Sequence, residues 1–174
     1  MEKRPTPGTN DLITALGYLC MGSRLKRLGE QMQSGVATIL ERQGLDVQPA
    51  QLPLLVALEE NGPLTIGSLG TRVGISQPGI TRALARLETL GLVAPASSDH
   101  PDRRRRLVML TPAGATLIRD LRINLFPAVE QAVRAVCRHA SGDILDAIGE
   151  IEARLNQTSL DDRINSAFAG AAND

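Results

Sequence analysis

Aromatic side chains are scarce in this 174-residue chain, which has two Phe, one Tyr and no Trp. Modules that grip unpaired bases rely on aromatic platforms, so single-stranded nucleic acid is a poor fit. Cysteine is nearly absent: Cys20 and Cys137 lie far apart and form neither a metal-ligand spacing nor a disulfide framework. The only histidines, His100 and His139, have no Cys, Asp or Glu cluster at ligand spacing, and neither common phosphate-binding glycine loop occurs. We therefore expect no catalytic site, no metal and no cofactor: this is not the sequence of an enzyme. No uncharged apolar run approaches the roughly 18 residues needed to cross a bilayer. Lys3 and Arg4 precede an apolar stretch at 12–21, but Asp11 interrupts it and no small-residue cleavage site follows. The expectation is a cytoplasmic protein with no membrane association.

Excess charge is also lacking, because 19 basic and 19 acidic residues cancel. The distribution says more than the sum. Residues 64–111 hold seven arginines against three acids, whereas residues 139–174 hold two arginines against seven acids. The basic part is confined to one stretch of the chain, and an anionic partner would meet that stretch alone.

That stretch, 64–114, organises everything else. Thr65 precedes Ile66, Leu69 and Val73, which share one helical face, and Gly74 stops the helix because glycine adopts a left-handed turn cheaply. A second helix follows with Ser76 as its N-cap and Pro78 in its first turn. Its apolar stripe is Ile80, Leu84 and Leu87, with Leu90 following. Off the stripe lie Gln77, Gly79, Thr81, Arg82, Ala85 and Arg86, short or hydrogen-bonding residues that let a backbone approach base edges. Arg82 is the best single base reader, since a guanidinium can donate two hydrogen bonds to guanine.

Gly91 closes this helix. Residues 92–94 and 107–110 read as two strands, and Thr111 with Pro112 opens another helix. Between the strands, SSDHPDRRRR has nothing apolar to bury. Four adjacent cations, Arg103, Arg104, Arg105 and Arg106, repel one another least in a solvated loop, and a phosphate backbone or a narrow minor groove would make them favourable. A solvated hairpin tip explains an isolated charge run by itself. Placed directly after two helices and a tight turn, this one completes the order of a winged helix-turn-helix, which sets one helix in the major groove of double-stranded DNA.

At these residues the chain resembles the MarR family of bacterial transcriptional regulators, from about 47 to 114 and more loosely over the flanking helices. The matching elements are a helix ending in EENGPLT, the turn into GISQPGITRALARLETLGLV, and Asp102, Arg103 and Arg104 ahead of Leu110, Thr111 and Gly114. The resemblance implies a homodimer on a near-palindromic operator, with 77–86 as recognition helix and the wing in the adjacent minor groove. It casts Asp102 as the residue that steadies the inserted arginine, and Arg104 or a neighbour as that arginine. Two departures stand out: Gly79 lies early in the recognition helix, where glycine costs up to about 1 kcal/mol against alanine, and there are four wing arginines rather than two. The resemblance also implies a small phenolic or otherwise lipophilic effector between the dimer helices and the DNA-binding lobe. Tyr18 and Arg24 could line such a pocket, although helix-surface or interface roles explain them equally well. One branch of the family senses peroxides through a cysteine near the start of its first helix, a position that falls nearer Leu16 here. Cys20, between Leu19 and Met21, reads as a buried inert thiol, with redox sensing as the alternative.

The flanks fit around this core. Residues 1–10 read as a flexible arm, and 11–46 as an N-terminal dimerisation helix with one apolar pattern from 11 to 43, roughly 45 Å long and bent at Gly29 or Gly35. Residues 47–114 form the winged helix-turn-helix domain. There Val47-Gln48-Pro49 opens a helix packed by Leu52, Leu55, Val56 and Leu58, and Asn61-Gly62-Pro63 ends it. Residues 115–158 read as C-terminal dimerisation helices: a row of Leu117, Leu121, Leu125, Val129, Val133 and Val136 that Pro127 kinks or splits, then a last helix capped by Ser141, with Asp143 at its positive end and Ile144, Ile148, Ile151 and Leu155 as its stripe. Residues 159–174 form a tail of weak periodicity. The fold class is mostly α with a small β-hairpin wing. The function expected is sequence-specific transcriptional regulation, as a repressor released by a small molecule. A winged helix serving protein assembly or non-specific chromosome binding is the rival.

Overall fold

The computed structural model describes residues 11–96, 107–138 and 142–171. Two compact units are present, Met1–Leu125 and Phe126–Asp174. The first holds α1 (Leu12–Ala15), a 3-10 turn (Gly17–Cys20), α2 (Met21–Arg42), a second 3-10 turn (Pro49–Gln51), α3 (Leu52–Asn61), β1 (Leu64–Thr65), α4 (Ile66–Val73), α5 (Gln77–Thr89), β2 (Val93–Pro95), β3 (Leu107–Leu110) and α6 (Pro112–Asn124). The second holds α7 (Phe126–Cys137), α8 (Ile144–Gln157) and α9 (Leu160–Ala171). The fold is mostly helical with a small antiparallel sheet, the winged-helix class expected.

Three local expectations change. The helix over 11–43 is not continuous: Gly17 takes a left-handed φ of 55°, which breaks the i to i−4 ladder between α1 and α2. Once that break is made, α2 runs through Gly29 and Gly35 without interruption and is about 33 Å long at 1.5 Å per residue. Pro127 splits the following helix, one of the two outcomes expected, and falls in the first turn of α7, where its missing N–H leaves no carbonyl unpaired. Helix α8 is capped by Asp143, which accepts from the Leu145 amide at 2.8 Å, while Ser141 lies outside the described residues. The weakly periodic tail is helical as α9, with the Ser159 hydroxyl accepting from the Asp162 amide.

Within the described residues the sheet has three strands in the order β1-β3-β2, one more than the hairpin expected. Leu64 pairs with Val108 and Thr65 with Leu107, while Val93, Ala94 and Pro95 face Leu110, Met109 and Val108. Strand β2 begins at Val93 rather than Leu92, although the Thr111 amide extends the same register by donating to the Leu92 carbonyl.

The core of the first unit forms where α3, α4, α5, α6 and β3 meet. Leu54, Leu55, Leu69, Ile80, Leu87 and Ile118 are fully buried there. Each such side chain contributes about 1.5–3 kcal/mol, whereas an exposed ion pair contributes under about 1 kcal/mol. Packing therefore places the helices, and surface pairs only trim them. Val56, expected among the packing residues of α3, is only half-buried, and on α6 Ile118 takes the deep position beside Leu121, with Leu117 half-buried.

Candidate nucleic-acid interface

Helix α5 is held by one face and presents the other. Ile80, Leu84 and Leu87 are at most 3% exposed, while Ser76, Gln77, Pro78, Thr81, Arg82, Ala85 and Arg86 are exposed and Gly79 is half-buried. This division follows from the 3.6-residue period: three anchors on one stripe turn the intervening residues outward. The turn into α5 works as expected at Gly74, whose φ of 69° and ψ of 26° are left-handed, with the Gly74 and Ile75 amides both donating to the Gly70 carbonyl. Thr65 caps α4 by accepting from the Ser68 amide at 3.1 Å. Ser76 occupies the N-cap position of α5, but its hydroxyl makes no cap hydrogen bond, contrary to expectation.

Gly79, a departure at the level of sequence, has a local reason. A Cβ there would sit 2.8 Å from Cγ2 of Ile75, a methyl held stiffly by β-branching, so the turn residue can close on the helix only over a glycine.

The far end of α5 is locked by a junction whose parts were visible singly in the sequence. Thr111 caps α6 by accepting from the Gly114 amide at 3.0 Å, and the same hydroxyl donates to the Gly91 carbonyl at 2.6 Å. The Thr111 amide donates to the Leu92 carbonyl at 3.0 Å, and a Cβ on Gly114 would fall 2.0 Å from that oxygen. The first turn of α6 thus lies directly against the chain leaving α5, at a distance only glycine permits.

Three residues that sequence reasoning passed over tie the unit together, two of them at α5. Gln51, the buried polar side chain of the core at 5% exposure, accepts from the Gln48 amide at 2.8 Å and donates to the Ala83 carbonyl of α5 at 3.3 Å. It closes a capping box with Gln48, but the sequence signature of such a box starts with Ser, Thr, Asp or Asn, so glutamine at the first position hid it. Asp46, on the segment after α2, pairs with Arg86. Arg122 of α6 bridges Glu59 at 2.8 Å and Glu60 at 2.9 Å on α3, and these carboxylates raise its pKa further above the ordinary guanidinium value. Nothing in the local sequence marks the last two, since their partners lie 40 or more positions away.

Arg82 is differently placed from Arg86. Its Nε donates to the Pro78 carbonyl one turn back, and among the described residues no carboxylate pairs with it. The wing residues Asp102, Arg103, Arg104, Arg105 and Arg106, with His100, lie outside the described residues, as does His139. Strands β2 and β3 flank the wing segment, and the Ala96 amide donates to the Leu107 carbonyl at 2.9 Å.

Tyr18 and Arg24 line one open groove of about 580 Å³ along α2, together with Met21, Leu25, Leu28 and Gln31. Arg27 at its edge is engaged by Asp11 at 2.8 Å. The Arg27 guanidinium and the Thr14 hydroxyl hold the Asp11 carboxyl well below the usual carboxylate range. Cys20 and Cys137 are half-buried free thiols, so Cys20 is less enclosed than expected. Among the described residues no group of three His, Cys, Asp or Glu could hold a metal ion, and no helix is long and apolar enough to cross a membrane.

Comparison with known proteins agrees with this geometry. Residues 45–105 match the family model described as MarR family. An HTH-type transcriptional regulator of Bacillus subtilis, YcgE, is 31% identical over 132 residues, covering 72% of this chain and 82% of its own. A solved probable transcriptional regulator from Pseudomonas aeruginosa is 26% identical, with a TM-score of 0.57 over 78% of this chain and 96% of that one. Bordetella bronchiseptica BpsR, described as regulated in its DNA binding by 6-hydroxynicotinic acid, is 21% identical with a TM-score of 0.58, covering 79% and 94%. Taken with the helix, turn, helix and sheet already described, these matches lead to one conclusion: the chain belongs to the MarR family of transcriptional regulators and carries its DNA-binding helix-turn-helix fold.

Proposed function

We propose that two copies of the chain grip a pseudo-palindromic operator as a homodimer and repress the genes beside it. Helix α5 enters the major groove through Ser76, Gln77, Pro78, Gly79, Thr81 and Arg82, with Arg86 at the groove's edge. Asp102 and Arg103 to Arg106 form the wing, which lies along the adjacent minor groove with one arginine inserted. The observation that carries this reading is the division of α5: a stripe of three buried anchors opposite an exposed, polar N-terminal half whose Arg82 has no acidic partner among the described residues. A recognition helix reads bases with its N-terminal residues, where that half lies.

Pairing of two copies is supported by apolar surface left uncovered in both units. Leu12 and Leu19 on the N-terminal segment are 68% and 81% exposed, and on α8 the stripe Ile144, Ile148, Ile151 and Leu155 is exposed along its length. Large apolar faces of this kind are removed from water by a second subunit. Release from DNA by a small effector is supported by the open groove along α2, whose lining joins the phenol of Tyr18 and the guanidinium of Arg24 to Met21, Leu25 and Leu28, a combination suited to an aromatic acid such as the one that acts on BpsR.

Selection of bound duplexes from a random library is expected to yield a palindrome with half-site centres about 34–36 Å apart, and sedimentation of the free protein the mass of two chains. Arg82→Ala should erase preference at one base pair of each half-site, about 1–3 kcal/mol. An unchanged preference would show that α5 is not the reader. Recovery of no preferred sequence would favour non-specific chromosome binding or an assembly role instead.

A further inference from the structure

We propose that Asp46 competes with the DNA backbone for Arg86, so that the protein carries its own brake on sequence-independent binding. The inference rests on α5 being the helix that enters the groove. Arg86 follows Arg82 by one turn on the exposed side of that helix, about 13 Å along its axis from Gln77 at 1.5 Å per residue. From there a guanidinium meets the phosphates bordering the groove rather than the base edges at its floor. Arg86 is already paired, however: Nη2 donates to Oδ2 of Asp46. Arg72 and Arg82, the other arginines of α4 and α5, have no carboxylate partner among the described residues.

The carboxylate is placed there firmly. Gly44, at φ 72°, ends α2, and the Leu45 amide folds back to the Leu40 carbonyl at 3.0 Å. On the other side Val47 is 3% exposed, plugged into the core. The backbone of Asp46 is thus held between two anchored neighbours, so its carboxylate stays within reach of Arg86 when a duplex approaches. Both partners are substantially exposed, 44% for Arg86 and 67% for Asp46, so the pair does little for stability. Its consequence is electrostatic. A phosphate reaching Arg86 must displace Asp46 or lie close to it, and the like-charge repulsion grows as the duplex excludes water.

Asp46→Asn frees the guanidinium while keeping the shape of the side chain. One more phosphate neutralised per subunit, two per dimer, steepens the fall of log K with log salt by about 1.8, and raises affinity about sixtyfold at 0.1 M salt. The experiment measures binding of wild type, Asp46→Asn, Arg86→Ala and the double variant to the selected duplex and to a scrambled one, across a salt series. Asp46→Asn is expected to tighten both complexes by the same factor with the steeper slope, and adding Arg86→Ala should abolish the gain. A gain that survives Arg86→Ala would mean that removing negative charge, and not releasing Arg86, is responsible, and would overturn the proposal. Unchanged or weakened binding by Asp46→Asn would overturn it too, the latter by showing that Asp46 orients Arg86 for a useful contact. Arg82→Ala, run alongside, separates the failures: if it alone changes sequence preference, the groove assignment of α5 stands without the brake.

Discussion

Replacing Gly114 by alanine tests the junction that locks α5 to α6. The substitution adds one methyl group in the first turn of a helix, and propensity alone favours it by up to about 1 kcal/mol. The structure reverses the sign. The new Cβ would lie 2.0 Å from the Leu92 carbonyl oxygen and 3.0 Å from its carbon, both backbone atoms that no rotamer change can move. Forcing a methyl into a closed space costs about 1–3 kcal/mol. Backing α6 away also strains the Thr111 bonds to the Gly91 and Leu92 carbonyls, each contributing about 0.5–1.5 kcal/mol. The net expectation is a destabilisation of about 3 kcal/mol, read as a fall in the thermal midpoint on the order of 10 °C. DNA affinity should fall with it at temperatures where the variant is still folded, because the chain leaving the recognition helix is what shifts. Gly67→Ala is the matched control. Its Cβ would meet only the Thr65 hydroxyl, at 4.0 Å on an exposed helix face, so it should stabilise by up to about 1 kcal/mol. If Gly114→Ala proved as stable as Gly67→Ala, the close approach of α6 to Leu92 would be refuted, and with it this account of the Thr-Pro-Ala-Gly segment.

Two further outcomes follow from buried and paired polar groups. Gln51→Leu keeps the volume but removes both hydrogen bonds, leaving the Gln48 amide without its acceptor; we expect a loss of about 1–2 kcal/mol in urea unfolding, and no change would show that the tie to Ala83 is idle. The Asp11 carboxyl is held below its ordinary pKa by Arg27 and Thr14, so its contribution is fully present above the unfolded value of about 3.9 and lost as pH falls through the lower folded one. The difference in thermal midpoint between wild type and Asp11→Asn should therefore stay flat from neutral pH to about pH 5 and shrink below about pH 4; a difference that persisted undiminished at about pH 2 would argue against the pairing.

Much of the fold was legible because its signals are local. Gly74 and Gly91 end their helices by left-handed turns, Thr65 and Thr111 cap the helices they precede, and Ile80, Leu84 and Leu87 declare the buried side of α5 by spacing alone. The exposed half of α5, and Arg82 within it, followed as the complement of that stripe. Other features were ambiguous at short range. Gly17, Gly29 and Gly35 look alike in sequence, yet only Gly17 takes a left-handed backbone and breaks the helix. In the tail, Leu160, Ile164 and Phe168 recur at every fourth residue after Ser159, a short helical signal that the reading of weak periodicity passed over.

Residue order by itself determined where α4, α5 and α6 start and stop, which side of α5 is apolar, and that the basic charge gathers on one segment, because these depend on neighbours within a turn or two. Tertiary structure alone decided the third strand, since the two residues of β1 become a strand only by meeting Val108 and Leu107 some forty positions away. It alone decided why Gly114 must be glycine, why Gln51 is buried, and that Arg86 is engaged by Asp46 while Arg82 is not. Each of these turns on contact between segments distant along the chain, and such contacts exist only after apolar burial has brought the segments together.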